Sequence, residues 1–247
     1  MRYLTLILAL LLLTAAAAEL TGKEILEKID AVFTVDSMWS GSTQTITTPE
    51  GETRSFTMES MARDSNRQQL TRYLTPQSVA GTAFLMLDYG NDIWTYFPDT
   101  DRTRQLAANA RNRSVMGSNL SYEDMASEAD YAENYSAEVL RQEEYAEADC
   151  YVLKLIPLKS SSSYSKMILW VDEESWVTLR CDYYDKGGEL LKRMRIRDIR
   201  YIDGTPTPFY YEMEGLQDGS MTEVTMTKVR YDMNLPESLF TTANLSR

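Results

Sequence analysis

The chain has 247 residues, with 37 acidic against 25 basic side chains, a formal charge of −12, two cysteines and no histidine. A surplus of that size repels nucleic acid and anionic membrane surfaces. The absence of imidazole excludes Ser-His-Asp and Cys-His catalysis and histidine-bearing zinc sites.

Residues 1–18 read as a cleaved signal peptide: Arg2 gives the positive start, residues 4–13 an apolar core too short to span a bilayer, and Ala16, Ala17 and Ala18 the small residues before the cut. The expected mature chain, 19–247, carries 24 basic residues without Arg2, and 24 − 37 = −13. No cysteine stands at the cut for lipid attachment, so a soluble, exported chain of one domain is expected.

Residues 21–32 place Ile25, Leu26, Ile29 and Val32 at helical spacing, with Thr21 and Glu24 as a capping box. Strands follow over 39–48, 53–63 and 68–74, the first rich in Ser and Thr, the second alternating Phe56 and Met58 with polar neighbours. Residues 82–87 and 93–97 read as a hairpin of two well-buried strands turning at Tyr89-Gly90-Asn91-Asp92. Residues 99–121 then form a polar flap carrying Arg102, Arg104, Arg111 and Arg113, and Ser121 starts a capped helix.

Beyond a turn at 130–134, strands are expected over 135–145, 150–156, 165–171, 176–185, 190–202, 207–214 and 221–231, with a helical turn at 234–240. Apolar faces are read as Tyr151, Leu153 and Leu155, then Met167, Leu169 and Val171, then Val177, Leu179 and Tyr183. The fold class is mainly β: one continuous, strongly curved antiparallel sheet of about eleven strands. An N-terminal helix, the mid-chain flap and a small C-terminal turn accompany it. Cys150 falls out of step with Tyr151 and Leu153, whereas Cys181 shares the apolar face of Leu179 and Tyr183, so the two thiols are expected to stay unpaired.

A sheet this long has to cover an apolar face. Phe56, Met58, Phe84, Met86, Trp94, Tyr96, Leu169, Phe209, Tyr211 and Met213 are either plain core or the wall of a cavity for acyl chains. Thirteen methionines suit an adaptable pocket, because thioether side chains repack easily. The four flap arginines either grip a phosphate or carboxylate headgroup or pair with Asp99, Asp101 and Glu123. A second basic run, Lys192, Arg193, Arg195, Arg197 and Arg200, reads as a solvated edge. The carboxylate pairs Glu143-Glu144 and Glu173-Glu174 lack the spacing that would name a base or nucleophile, so no catalytic residue, metal or cofactor is expected.

The ordered segments Gly81-Thr82-Ala83-Phe84, 92–98, 116–125, 151–157, Leu169-Trp170-Val171-Asp172, 182–192 and 235–240 resemble the LolA-like outer-membrane lipoprotein-sorting proteins of Gram-negative bacteria. The likeness is to the larger branch often encoded beside exporters of the resistance-nodulation-division type. The resemblance implies an unclosed, strongly bent antiparallel half-barrel whose concave face, covered by short helices as a lid, binds acyl chains. It also implies a monomeric, non-enzymatic periplasmic carrier of a lipid or lipoprotein cargo. The implied partner is an inner-membrane exporter of the RND/MMPL or ABC type. A module of the same fold that senses lipid or lipoprotein rather than carrying it is the alternative.

Overall fold

The computed structural model describes residues 19–107, 110–126 and 131–247, the Phe33 side chain excepted; the expected signal peptide lies outside the described residues. Helix α1 (Gly22–Phe33) begins as its capping box predicts. The Thr21 N–H donates to Glu24 Oε2 at 2.8 Å, and Thr21 Oγ1 accepts from the Glu24 N–H at 3.3 Å. Ile25, Leu26 and Ile29 are wholly buried along one stripe. Among the described residues no helix is long and apolar enough to cross a membrane.

The strands are β1 (Ser37–Thr47), β2 (Thr53–Arg63), β3 (Gln68–Thr75), β4 (Ala83–Leu87), β5 (Asp92–Phe97), β6 (Arg102–Gln105), β7 (Tyr135–Tyr145), β8 (Ala148–Pro157), β9 (Lys166–Asp172), β10 (Thr178–Tyr184), β11 (Leu190–Ile202), β12 (Thr205–Gly215) and β13 (Met221–Tyr231). Helices α2 (Tyr122–Ala126) and α3 (Tyr131–Asn134) lie between β6 and β7. There are thus thirteen strands rather than about eleven. Strand β6 falls inside the expected flap. Its four exposed residues carry no apolar alternation, and it is a strand because its backbone pairs with β5.

All thirteen strands form one sheet in the order β6-β5-β4-β3-β2-β1-β13-β12-β11-β10-β9-β8-β7. The chain starts at the centre, walks out to the β6 edge, crosses to the β7 edge and walks back to end beside β1. Edge strands β6 and β7 are not neighbours in that order, so the sheet is unclosed.

Alternation along the strands sorts the core onto two faces. The concave face holds Phe56, Met58, Phe84, Met86, Leu153, Leu155, Met167, Leu169 and Met213 together with the apolar stripe of α1. On the convex side of β3–β5 lie Leu70, Ala83, Leu85 and Tyr96, covered by the C-terminal residues Leu235, Leu239, Phe240 and Leu245. Val177 and Leu179 do not share the face of Tyr183. They pack with Val152 and Trp170 on the convex side, because a bulge between Thr178 and Arg180 inserts one residue and reverses the alternation.

The second basic run is not an edge, since β11 sits between β10 and β12. Arg193 and Arg180 bracket Asp182, and Arg195 meets Glu212 at 3.0 Å and Glu214 at 2.9 Å on the convex face. Lys192 points the other way and is buried.

The described residues between β6 and β7, 106–107, 110–126 and 131–134, lie over the concave face and are fastened there. Lys192 Nζ lies 2.5 Å from Asp124 Oδ2 and donates to the Asn119 carbonyl at 3.0 Å. The Tyr164 hydroxyl donates to Asp124 Oδ1 at 2.5 Å. Asn119 also exchanges hydrogen bonds with Thr222 and Ser220 on the far wall, at 2.6 to 2.9 Å. At the other side Arg111 donates to the Gly90 carbonyl. Gly90 has a φ of 73°, and a Cβ there would stand 2.3 Å from the Ala126 Cβ, so only glycine lets the hairpin turn meet α2.

Cys150 and Cys181 are both buried and unbridged. Their partners on the shared neighbour β9 are Asp172 and Leu169, an offset of 172 − 169 = 3 residues. At about 3.3 Å per residue and about 4.8 Å per strand, the separation exceeds the roughly 7 Å a bridge allows. Burial, with Asp172 and Glu173 nearby, pushes the Cys150 thiol up to about 11, and burial pushes Cys181 up as well. Alkylation near pH 8 is therefore expected to spare the folded protein and to label both cysteines once it is unfolded without reductant. An unlabelled, oxidised pair would break the register.

The Lys192–Asp124 pair is a second target. Replacing Lys192 with Met leaves a buried carboxylate without its cation and is expected to cost about 3–5 kcal/mol in chemical unfolding. Amide exchange over residues 115–126 should accelerate with it. A loss below about 1 kcal/mol would instead be the value of a solvated pair.

Candidate functional site

Between the concave face and the crossing segment lies a cavity of about 250 Å³. Strands β1–β3 and β9–β13 form its walls, and Val115, Leu120, Met125 and Tyr131 its roof. Eight of the thirteen methionines line it, Met58, Met125, Met167, Met194 and Met213 among them. Thioethers on so many sides make a wall that can re-form around different contents.

The cavity is closed at one end and open at the other. Tyr73, Val115, Tyr164, Met167 and Met213 are buried at the closed end, beside the Asp124–Lys192 contact. At the opposite strand ends Val32, Val35, Met38, Asn66, Pro206 and Tyr231 are half-exposed. The mouth therefore lies between the end of α1, the β2–β3 turn and the β11–β12 turn. An edge-to-face series of rings, Phe56–Tyr73–Phe84–Tyr122, with centroids 5.6 to 5.8 Å apart, fills the space between β2–β4 and α2.

Of the ten candidate wall residues, Met58, Tyr211 and Met213 line the cavity. Phe56, Phe84, Met86 and Leu169 belong to the same concave core but are packed against their neighbours rather than facing the space. Trp94 and Tyr96 lie on the convex face under the C-terminal segment, where the Tyr96 hydroxyl donates to Asp101 at 3.0 Å. Phe209 is buried, with the Arg200 guanidinium 4.2 Å from its ring centroid. The hairpin is buried on both sides, which leaves its sequence no polar face to mark the outside.

The candidate arginines are not gathered into one site. Arg102 and Arg104 are exposed on β6, and Arg113 is exposed on the crossing segment. Arg111 stands at a separate hollow of about 80 Å³ with Lys159, Ser161 and Ser162, and its Nε is buried without a hydrogen-bond partner. Among the described residues none of the four forms an ion pair with Asp99, Asp101 or Glu123. Glu123 accepts instead from Ser162 Oγ at 2.6 Å.

The charged residue lining the cavity is Asp124, which is already held by Lys192 and Tyr164. Burial, and then the Asp124 charge, pushes the Tyr164 hydroxyl far up, so it stays a neutral donor. Among the described residues no three His, Cys, Asp or Glu side chains cluster to hold a metal. The arrangement is built to enclose apolar matter. Ser40, Ser42 and Gln44 also line it, and sequence reading passed over them. Strand β1 is polar on both faces, so alternation gives no sign of which residues turn inward.

A family model described as "uncharacterized protein" matches residues 65–247. No curated protein sequence matches the chain. Among solved structures, a candidate outer membrane lipoprotein-sorting protein domain from Vibrio parahaemolyticus is 26% identical, covers 92% of this chain and 98% of its own, and superposes with a TM-score of 0.85. A DUF1329 family protein from Desulfovibrio piger is also 26% identical, with 91% and 97% covered and a TM-score of 0.84. A LolA superfamily protein from Nitrosomonas europaea, again 26% identical, covers 90% and 98% at a TM-score of 0.75. The chain thus belongs to the family that this model describes, and its unclosed sheet is that of the LolA-like lipoprotein-sorting proteins.

Proposed function

We propose that the protein is a non-enzymatic carrier that takes acyl chains of a lipid or lipoprotein into this cavity and moves them across the periplasm, from an inner-membrane exporter toward the outer membrane. The observation that carries the reading is an apolar, methionine-lined space open at one end of an unclosed sheet. The likeness to a candidate lipoprotein-sorting domain and to a LolA superfamily protein supports it. The signal-peptide pattern of residues 1–18 supports the compartment.

The driving force is the hydrophobic effect, about 0.8 kcal/mol for each methylene withdrawn from water. Entry at the mouth leaves the Asp124–Lys192 contact at the closed end intact, so loading proceeds through the gap beside α1 and not by lifting the whole crossing segment. With a formal charge of −12 the carrier is repelled by anionic bilayers. Handover is therefore assigned to a partner protein at each membrane, an RND/MMPL-type or ABC exporter being the donor.

Protein purified from an envelope fraction is expected to show bound lipid in native mass spectrometry. Met194→Trp and Met226→Trp, both half-buried in the wall, should reduce uptake of a fluorescent fatty acid by about tenfold or more, because a bulkier ring takes up the space of the chain. Trp94→Ala is the control. It should lower stability by about 1–3 kcal/mol and leave uptake unchanged, since Trp94 packs on the convex face. Full uptake by both tryptophan variants, or empty protein that takes up no probe, would sink the carrier reading.

A further inference from the structure

We infer that the occupant carries an uncharged hydrogen-bonding group and that it is read by a row of hydroxyls across the cavity floor. The preferred ligand class is then a neutral lipid bearing hydroxyl or ester oxygen, over an anionic lipid or a bare hydrocarbon. This rests on the carrier reading and specifies its cargo.

The inward positions of β1, the strand at the middle of the floor, run Met38, Ser40, Ser42, Gln44, Ile46, apolar at both ends and polar between. Ser40, Ser42 and Gln44 are 2%, 6% and 2% exposed. In the sheet register Ser40 stands opposite Ser60 on β2, and Ser60 opposite Thr71 on β3, so the hydroxyls continue sideways as a row. Ser60 and Thr71 bond each other at 3.0 Å, and the Gln44 carbonyl accepts from Tyr73 at 3.2 Å. The Ser40 and Ser42 hydroxyls are left for whatever fills the cavity, as are the Gln44 amide N–H groups. On the facing wall Thr178 Oγ1 is buried without a partner.

A floor meant for methylenes alone would gain nothing from these groups, because a buried hydroxyl without a partner costs free energy that alanine or valine avoids. The lining carries no arginine or lysine, and its carboxylate is already paired with Lys192. A phosphate drawn inside would be desolvated without a counter-charge. Hydroxyls and an amide, by contrast, serve as donors to ester or carbonyl oxygen and as donors or acceptors to alcohols.

The test is displacement of a neutral fluorophore, N-phenyl-1-naphthylamine, from the mature chain by monooleoylglycerol, 1-octadecene and dioleoylphosphatidate. Monooleoylglycerol is expected to compete at concentrations about tenfold lower than either of the others. In the Ser40→Ala/Ser42→Ala variant its advantage over octadecene, read as the ratio of the two competing concentrations in that same variant, should shrink to about twofold or less. Should the double variant misfold, Ser42→Ala alone is read for a partial loss of the same advantage. The inference is overturned if octadecene or the phosphatidate competes equally well, or if folded variants keep the full preference, as they would if the hydroxyls merely hold water. A fluorophore that never binds the wild-type chain sinks the carrier reading itself, and this inference with it.

Discussion

The pairing of β1 with β13 is the constraint on which the rest of the structure depends. A strand satisfies its backbone hydrogen bonds by finding neighbours, and here the first and last strands find each other in the middle of the sheet. The chain's midpoint is thereby sent to both edges at once. One connection, residues 106–134, has to travel between them, and the route runs over the concave face. The roof is in this sense a consequence of the strand order. A closed barrel would have paired β6 with β7 and left no connection to cross between two edges.

Charge is distributed to match. The convex surface of β10–β12 carries a network of ion pairs, with Asp182 between Arg180 and Arg193 and Glu212 between Arg195 and Arg197. Burial alone would raise the Asp182 carboxyl, but hydrogen bonds from the two guanidinium groups outweigh it and hold the group below the usual carboxylate range. The interior is nearly free of charge. Its exception, Asp124 with Lys192, stands at the closed end between the Tyr164 and Tyr183 rings, whose centroids lie 5.4 and 5.2 Å from the ammonium. The cost of burying that pair is met by its hydrogen bonds to Tyr164 and the Asn119 carbonyl. What it secures is the position of the roof over the floor.

One short edge and one charged edge protect an unclosed sheet of this size from further pairing. Strand β6 has four residues, two of them arginines, and β7 carries Glu138, Arg141, Glu143 and Glu144. Inside, the methionine-rich wall and the neutral floor are complementary. Thioether side chains can re-form around contents of different shape, while the hydroxyls of β1 and β2 stand at fixed register positions.

Alternation and turn chemistry in the sequence determined most strand boundaries, the capped helix α1 and the mainly β class, because each depends on neighbours a few residues away, and the strand register drawn from them kept the two cysteines unpaired. Period-two alternation made some inward faces legible too: Leu153, Leu155, Met167 and Leu169 all lie in the concave core. Tertiary structure alone decided the remainder. A bulge at Leu179 reversed a face, and the C-terminal segment buried the outside of the Trp94 hairpin so that both faces look like core. The middle of strand β1 is polar on both faces, and which of its hydroxyls point inward follows from the strands beside it. The cavity is likewise a product of order, since its walls come from strands nearly two hundred residues apart, as with Ser40 opposite Val229. No local pattern encodes such a pairing, because its energy is realised only when the whole sheet has formed.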